Sequence, residues 1–129
     1  MIVLDASVVV ELFTDGPLAG KVLEYMVNAE ESFIAPHLLD VEVVNAIRGL
    51  ESGHRLDTLD VKRLLSTFAE LPAERYAHTP LLGRVWELRH NFTAYDAVYI
   101  ALAEETGSTL LTADSKQSKG HRASVKVIR

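Results

Sequence analysis

TAYDAVYIALAEETGSTLLTAD, residues 93–114, reads as a helix over 94–106, a stop at Gly107 and a strand over 108–112. A glycine just past a run of helix formers is the usual C-terminal stop, and Ser-Thr-Leu-Leu-Thr is a short β-prone run. Two acids mark the ends of this unit. Asp96 falls in the first turn of the helix, three residues after Thr93, close to a capping box with a shorter acid. Asp114 falls just past the strand. Most acids of a soluble chain lie on solvated faces; acids flanked by a strand core or set in a small-residue helix are unusual.

The opening MIVLD shows the same strand-then-acid pattern, with a short buried strand over 2–4 followed by Asp5. Residues 6–13 read as a helix ended near Asp15-Gly16-Pro17, and 18–29 as a second, amphipathic helix. Residues 32–36 are a strand halted by Pro36. Helices follow over 37–50, stopping near Gly53, and over 57–70, with apolar positions Leu59, Leu64, Leu65 and Phe68. Residues 73–77 are a weak strand, 79–90 a helix parted from 94–106 by Asn91-Phe92, and 125–128 the last strand. Short apolar strands spaced by helices indicate a parallel α/β sheet covered on both faces. No repeat, low-complexity segment or linker interrupts the 129 residues, which are read as one domain, 1–129.

Hydrophobic residues make up 48% of the chain, ample for a packed core and too many for a disordered one. The absence of cysteine removes disulfides, thiolate zinc sites and cysteine nucleophiles, and suits a reducing cytoplasm. Asp5 interrupts the first apolar run and no basic segment precedes it, which speaks against a signal peptide. No run approaches the roughly 18 apolar residues of a membrane span, so no membrane partner is expected. The net charge of -5 argues against a nucleic-acid partner until its distribution is considered. After Asp114 there is no acid, yet Lys116, Lys119, Arg122, Lys126 and Arg129 follow. An acidic centre with a basic rim suits a metal nuclease; a solvated basic tail is the ordinary reading of the same residues.

Asp5, Glu42, Asp96 and Asp114 are the candidate metal ligands and catalytic residues. Each alone has a structural explanation. Asp5 is placed to cap the helix at 6, with Ser7 sharing that duty; Asp96 completes a cap; Asp114 caps the turn 115–118; Glu42 faces water. Together they fit another pattern. Open parallel sheets bind ligands at strand carboxyl ends beside helix N-termini, and all four acids map there. Converging carboxylates repel unless a cation neutralises them. An oxygen-only set selects Mg²⁺ or Mn²⁺, and the five histidines show no metal-ligand spacing; His121 alone is a candidate phosphate contact. Asn45, one turn after Glu42, shares its helix face. Ser7 and Thr112 each stand two residues from an acid, placed to support it or touch substrate. Lys116, Lys119 and Arg122 are the candidate contacts to a nucleic-acid backbone. Tyr95 reads as a core residue or, less simply, as a base-stacking one.

The stretches IVLDASVVV, PHLLDVEVVNAI and TAYDAVYIALAEETGSTLLTAD, with the small size of the chain, resemble the PIN-domain family, and within it the VapC-type toxin ribonucleases of toxin–antitoxin pairs. The resemblance covers nearly the whole chain, and 93–114 is its most specific part. It implies a PIN-like α/β fold, a parallel five-stranded sheet in the order 3-2-1-4-5 flanked by helices on both faces. It also implies Mg²⁺ or Mn²⁺ held at Asp5, Glu42, Asp96 and Asp114, with polar support from Ser7, Asn45 and Thr112. The implied activity is endonucleolytic cleavage of RNA leaving 5′-phosphate and 3′-hydroxyl ends. A cognate antitoxin and a homodimer are the implied partners, with Val9, Leu12, Phe13 and Leu23 either core residues or antitoxin contacts. Some members carry a further acid shortly after the fourth; here Gln117 and Ser118 stand there, which puts tight binding of a second metal in doubt. Two other functions fit parts of the pattern. A housekeeping PIN nuclease of RNA maturation would use the same site. A non-catalytic α/β module, such as a phosphoacceptor domain, would need adjacent acids after the first strand, where only Asp5 stands.

Overall fold

A computed structural model describes residues 1–129 as a five-stranded, all-parallel sheet in the order β3-β2-β1-β4-β5. The strands are β1 (Ile2–Leu4), β2 (Phe33–Pro36), β3 (Ala73–Tyr76), β4 (Thr109–Thr112) and β5 (Ser124–Val127). The helices are α1 (Ala6–Phe13), α2 (Ala19–Ala29), α3 (Leu38–Ser52), α4 (Thr58–Ala69), α5 (Leu82–Glu87) and α6 (Ala94–Thr106). The sheet order and the element pattern agree with the expectation. One element differs: the single helix expected over 79–90 is a 3-10 turn, Thr79–Leu81, running into the short α5. Pro80 at the start of that turn lacks an N–H and favours such an opening.

Burial follows strand position. Ile2, Val3 and Leu4 are each wholly inaccessible, so β1 is covered on both faces, as parallel sheets require. The edge strand β5 alternates between half-buried and exposed residues. Helix α6 is the most buried helix, with Ala97–Ala103 all inside. Its alanines let the helix backbone approach the sheet, and Tyr99, Ile100 and Leu102 fill the remaining space. Thr93 caps its first turn by accepting the Asp96 N–H, and Gly107 ends it in the left-handed conformation, φ 63°.

The chain runs β1, β2, β3 outward on one side, then returns to lay β4 and β5 on the other. The switch point therefore lies between β1 and β4, where Leu4 is level with Leu111. The N-termini of α1 and α6 lie at the carboxyl end of this seam, the usual ligand site of such sheets.

Leu110, on β4 and wholly buried, tests the core. Leu110→Ala should cost about 2–5 kcal/mol, read as a lowered denaturant midpoint with an unchanged slope.

Candidate active site

Asp5 is the residue immediately after β1, and its N–H continues the sheet ladder onto the Leu111 carbonyl at 3.0 Å. Its side chain does not cap α1, contrary to the simplest sequence reading. Instead, one of its oxygens, Oδ2, collects three side-chain donors: the Ser7 hydroxyl at 2.5 Å, the Thr112 hydroxyl at 2.9 Å and the Gln117 amide at 3.4 Å. Both hydroxyls accept backbone N–H groups in turn, Ser7 from Ala113 at 2.9 Å and Thr112 from Asp114 at 3.0 Å. The end of β4 thus polarises two hydroxyls that hold the acid at the end of β1. Such chains strengthen each link and lock the carboxylate in one rotamer. Burial pushes the Asp5 carboxyl up, and the bonds from Ser7 and Thr112 act against that rise.

Asp96 lies half-buried in the first turn of α6, its Oδ1 accepting the Gln117 amide at 3.3 Å. Its carboxyl is also held up, first by burial and then by the charges of Asp5 and Asp114. Glu42 reaches the group from the second turn of α3. Burial, then Asp5 and Asp96, raise its carboxyl to about 7. Its Oε1 is buried with no hydrogen-bond partner, so it does not face water. Asp114, half-buried beside Thr112, caps the 3-10 turn Ser115–Ser118 by accepting the Lys116 N–H at 2.9 Å.

The four acids therefore lie around the same end of the sheet, Asp96 within electrostatic reach of Asp5, Glu42 and Asp114, with Ser7 and Thr112 bonded to Asp5. Asn45 is exposed and lines, with Leu38, Val41, Glu42, Ala46 and Tyr95, a cleft of about 460 Å³ that opens beside Glu42. It makes no bond to Glu42. Tyr95 is 64% exposed on the rim of that cleft, which corrects the core reading. A wider cleft, about 530 Å³ near Tyr25 and the C-terminus, contains none of the four acids.

The basic segment divides. Lys116 lies close enough to Asp96 to oppose its rise, and Lys119 is exposed. Arg122 is drawn elsewhere. Its backbone N–H donates to Glu104 Oε1 at 3.1 Å and its guanidinium lies 3.4 Å from Oε2, at the opposite end of α6 from Asp96. His121 is used up as well: its ring nitrogens meet the Gln117 carbonyl at 2.5 Å and the Ala123 N–H at 3.1 Å, which leaves none for phosphate. Val9 is core, Leu12 and Phe13 pack against it, and only Leu23 is largely exposed.

Two residues were missed from sequence. Gln117 is 2% exposed and touches two of the acids, though it had been noted only as a missing acid. Tyr99, one turn after Asp96 and wholly buried, holds its hydroxyl without a partner near Glu42, Asp5 and Asp96, whose charges add to burial in raising it. The i, i+3 spacing from Asp96 was the available signal.

The donor set fits a hard divalent cation. It is oxygen-only, it lacks any compensating arginine, and Glu42 Oε1 is a buried acceptor with nothing to accept. As the side chains stand, no three acids or histidines are close enough together to hold an ion, so binding requires them to draw in.

Comparison with known proteins identifies the family and the fold. The PIN domain model matches residues 2–122. Ribonuclease VapC9 of Mycobacterium tuberculosis is 38% identical over 118 residues, 92% of this chain and 89% of that protein. The chain thus belongs to the PIN-domain family, in its VapC ribonuclease branch. Two solved structures share the fold at lower identity. VapC20 of M. tuberculosis, described as a sarcin–ricin loop cleaving toxin, superposes with a TM-score of 0.72 at 15% identity, covering 92% of this chain and 93% of that one. A toxin–antitoxin complex from Klebsiella pneumoniae gives 0.63 at 20%, covering 93% and 92%.

The raised acids set a pH dependence. Folded Glu42 keeps its proton to about pH 7, whereas the ordinary value is 4.5. The folded state then binds more protons than the unfolded one, so stability falls as pH rises between these values. Asp5 and Asp96 shift in the same direction. Melting in EDTA should show a falling midpoint from about pH 5 to pH 8, and Glu42→Gln should flatten much of that fall.

Proposed function

We propose that the chain is a divalent-metal-dependent endoribonuclease, the toxin of a toxin–antitoxin pair, with Asp5, Glu42, Asp96 and Asp114 as its metal-binding and catalytic acids. The observation that carries this is the gathering of the four carboxylates around the sheet's switch point with no salt bridge to any of them, Lys116 offering Asp96 only a partial counter-charge. Asp5, Asp96 and Asp114 would ligate Mg²⁺ or Mn²⁺ directly, with Glu42 joining through its unpartnered oxygen or through water. A cation bound there supplies Lewis-acid polarisation of the scissile phosphate and makes water a competent nucleophile near neutral pH.

The protein's own part is positional. Ser7 and Thr112 fix the Asp5 carboxylate in place, and Thr112 also ties down the backbone of Asp114. Asn45, on the cleft wall beside Glu42, is placed to touch substrate. Displacement at phosphorus by water, with departure of the 3′ oxygen, leaves 5′-phosphate and 3′-hydroxyl ends. The open, exposed cleft suits single-stranded or looped RNA, whose backbone can bend into it. Lys116 and Lys119 would hold flanking phosphates. Arg122, committed to Glu104, is reassigned to structure.

The antitoxin partner is supported by the VapC relationship and by the complex described for the Klebsiella neighbour. We include a homodimer, for which the exposed apolar residues Val41, Val44 and Leu82 provide surface, and a cytoplasmic setting, which suits a chain without cysteine. Residues 1–129 would act as a single PIN domain.

Two experiments test this. Purified protein given labelled RNA should cut it with Mg²⁺ or Mn²⁺ and stop in EDTA. Asp96→Asn should lower the rate by about 100-fold or more, at least what losing an outer partner of a metal ligand costs, while circular dichroism stays native. Undiminished metal-dependent cutting by that variant would overturn the assignment. Separately, Lys116→Ala and Lys119→Ala should each weaken RNA binding and reduce the salt slope by about one, whereas Arg122→Ala should lower the melting temperature and leave the slope unchanged.

A further inference from the structure

The 3-10 turn after Asp114 folds Gln117 beneath the acids. The residue is 2% exposed, a depth at which amides are normally fully bonded. Its Nε2 lies 3.3 Å from Asp96 Oδ1 and 3.4 Å from Asp5 Oδ2, so one amide group spans the acid after β1 and the acid in the first turn of α6. Its Oε1 is buried with no donor. The orientation follows from chemistry: ionised carboxylates only accept, so they select the N–H end. Half of the amide is thus employed and half is left over, inside a cluster that carries excess negative charge.

We propose that Gln117 is a reversible ligand of the acid cluster: its N–H group bridges Asp5 and Asp96 when no cation is present, and its Oε1 enters the coordination shell when a divalent cation binds. The proposal rests on the metal-binding reading given above. A half-turn about the last side-chain bond, a broad and soft torsion, exchanges Nε2 for Oε1 without moving the backbone. Oε1 would then stand at the distance now held by Nε2, 3.3–3.4 Å from the same two carboxylate oxygens. Neighbouring oxygens in an octahedral shell of radius about 2.1 Å are about 3 Å apart, so only a small contraction is needed. Amide carbonyls belong with carboxylates among the oxygen ligands that suit Mg²⁺ and Mn²⁺. The arrangement also explains how the acids stay near each other without a cation. The amide stands between two of them and gives each a donor, but it adds no positive charge.

A residue that merely filled space would behave differently on substitution. Calorimetric titration of RNA-free protein with Mn²⁺, paired with melting in EDTA, separates the two roles. Gln117→Leu should bind Mn²⁺ about tenfold or more weakly than wild type and melt lower in EDTA, having lost both amide functions. Gln117→Glu should bind more tightly yet melt lower in EDTA, because it keeps the oxygen and adds a like charge. Gln117→Asn, too short to reach both acids, should repeat the weakened binding and serves if Gln117→Leu does not fold. Wild-type affinity in Gln117→Leu or Gln117→Asn would overturn the proposal and leave Gln117 a packing residue. Tighter binding in either would also overturn it, by showing that the amide only competes with the ion. A wild type that takes up no Mn²⁺ would overturn the metal reading itself, and this proposal with it.

Discussion

Carboxylates crowded at the carboxyl ends of adjacent parallel strands repel one another, and the surrounding structure is arranged to hold them there. The effect is visible in the acids themselves: Asp5, Glu42 and Asp96 all bind protons more tightly than isolated acids, with burial the largest cause and mutual repulsion next for Glu42 and Asp96. Within the chain only Lys116 opposes this by charge, and its effect on Asp96 is the smallest of the causes there. What holds Asp5 is neutral hydrogen bonding from Ser7, Thr112 and Gln117, backed by two N–H groups at the end of β4. Neutral donors fix geometry without cancelling charge, as the proposed cation site would require.

That relay explains the demand on the sheet. Ser7 can reach Asp5 and accept from Ala113 only if β1 and β4 are neighbours in the register that sets Leu4 beside Leu111. A shift of one residue would turn Thr112 away from Asp5. The wholly buried strands and the alanine-rich α6 supply the rigidity that keeps the register, and α6 also carries Asp96 to the seam. Core and site are therefore one mechanical unit, joined at the residues that end β1 and β4.

Much of this was readable from the chain because acids beside strand cores are rare enough to stand out. The strand-then-acid pattern at Asp5 and Asp114, the Thr93 cap and the Gly107 stop mark the seam and the acids beside it. Local pattern failed where the answer depended on what lies across space. Arg122 looked like part of a basic rim, because sequence shows charge but not that Glu104 lies within reach. Tyr95 and Tyr99 sit four residues apart on one helix, one on the rim and one sealed inside, and only packing distinguishes them. Gln117 registered as an absent acid because a glutamine in a polar turn is ordinary; its significance comes from the fold placing it under Asp5 and Asp96.

The two ends of α6 carry acids in opposite electrostatic settings. Glu104 sits near the C-terminus, where the helix dipole disfavours a carboxylate, yet bonding to Arg84, at 2.8 and 3.0 Å, and the Arg122 contacts lower it to about 2. Asp96 sits in the first turn, where the dipole favours its charge by about 0.3–1 kcal/mol, yet it is raised. In each case the local partners outweigh the dipole. At Glu104 the chain provides a guanidinium and the acid becomes a fixed strut. At Asp96 it provides burial, two further acids, a neutral amide and only the distant charge of Lys116, so the acid is left raised. Burial alone would not distinguish the two residues, since the Glu104 side chain is only 7% exposed. The distinguishing feature is which acid is denied a salt bridge, and at the seam all four acids are, with Lys116 acting on Asp96 only from a distance.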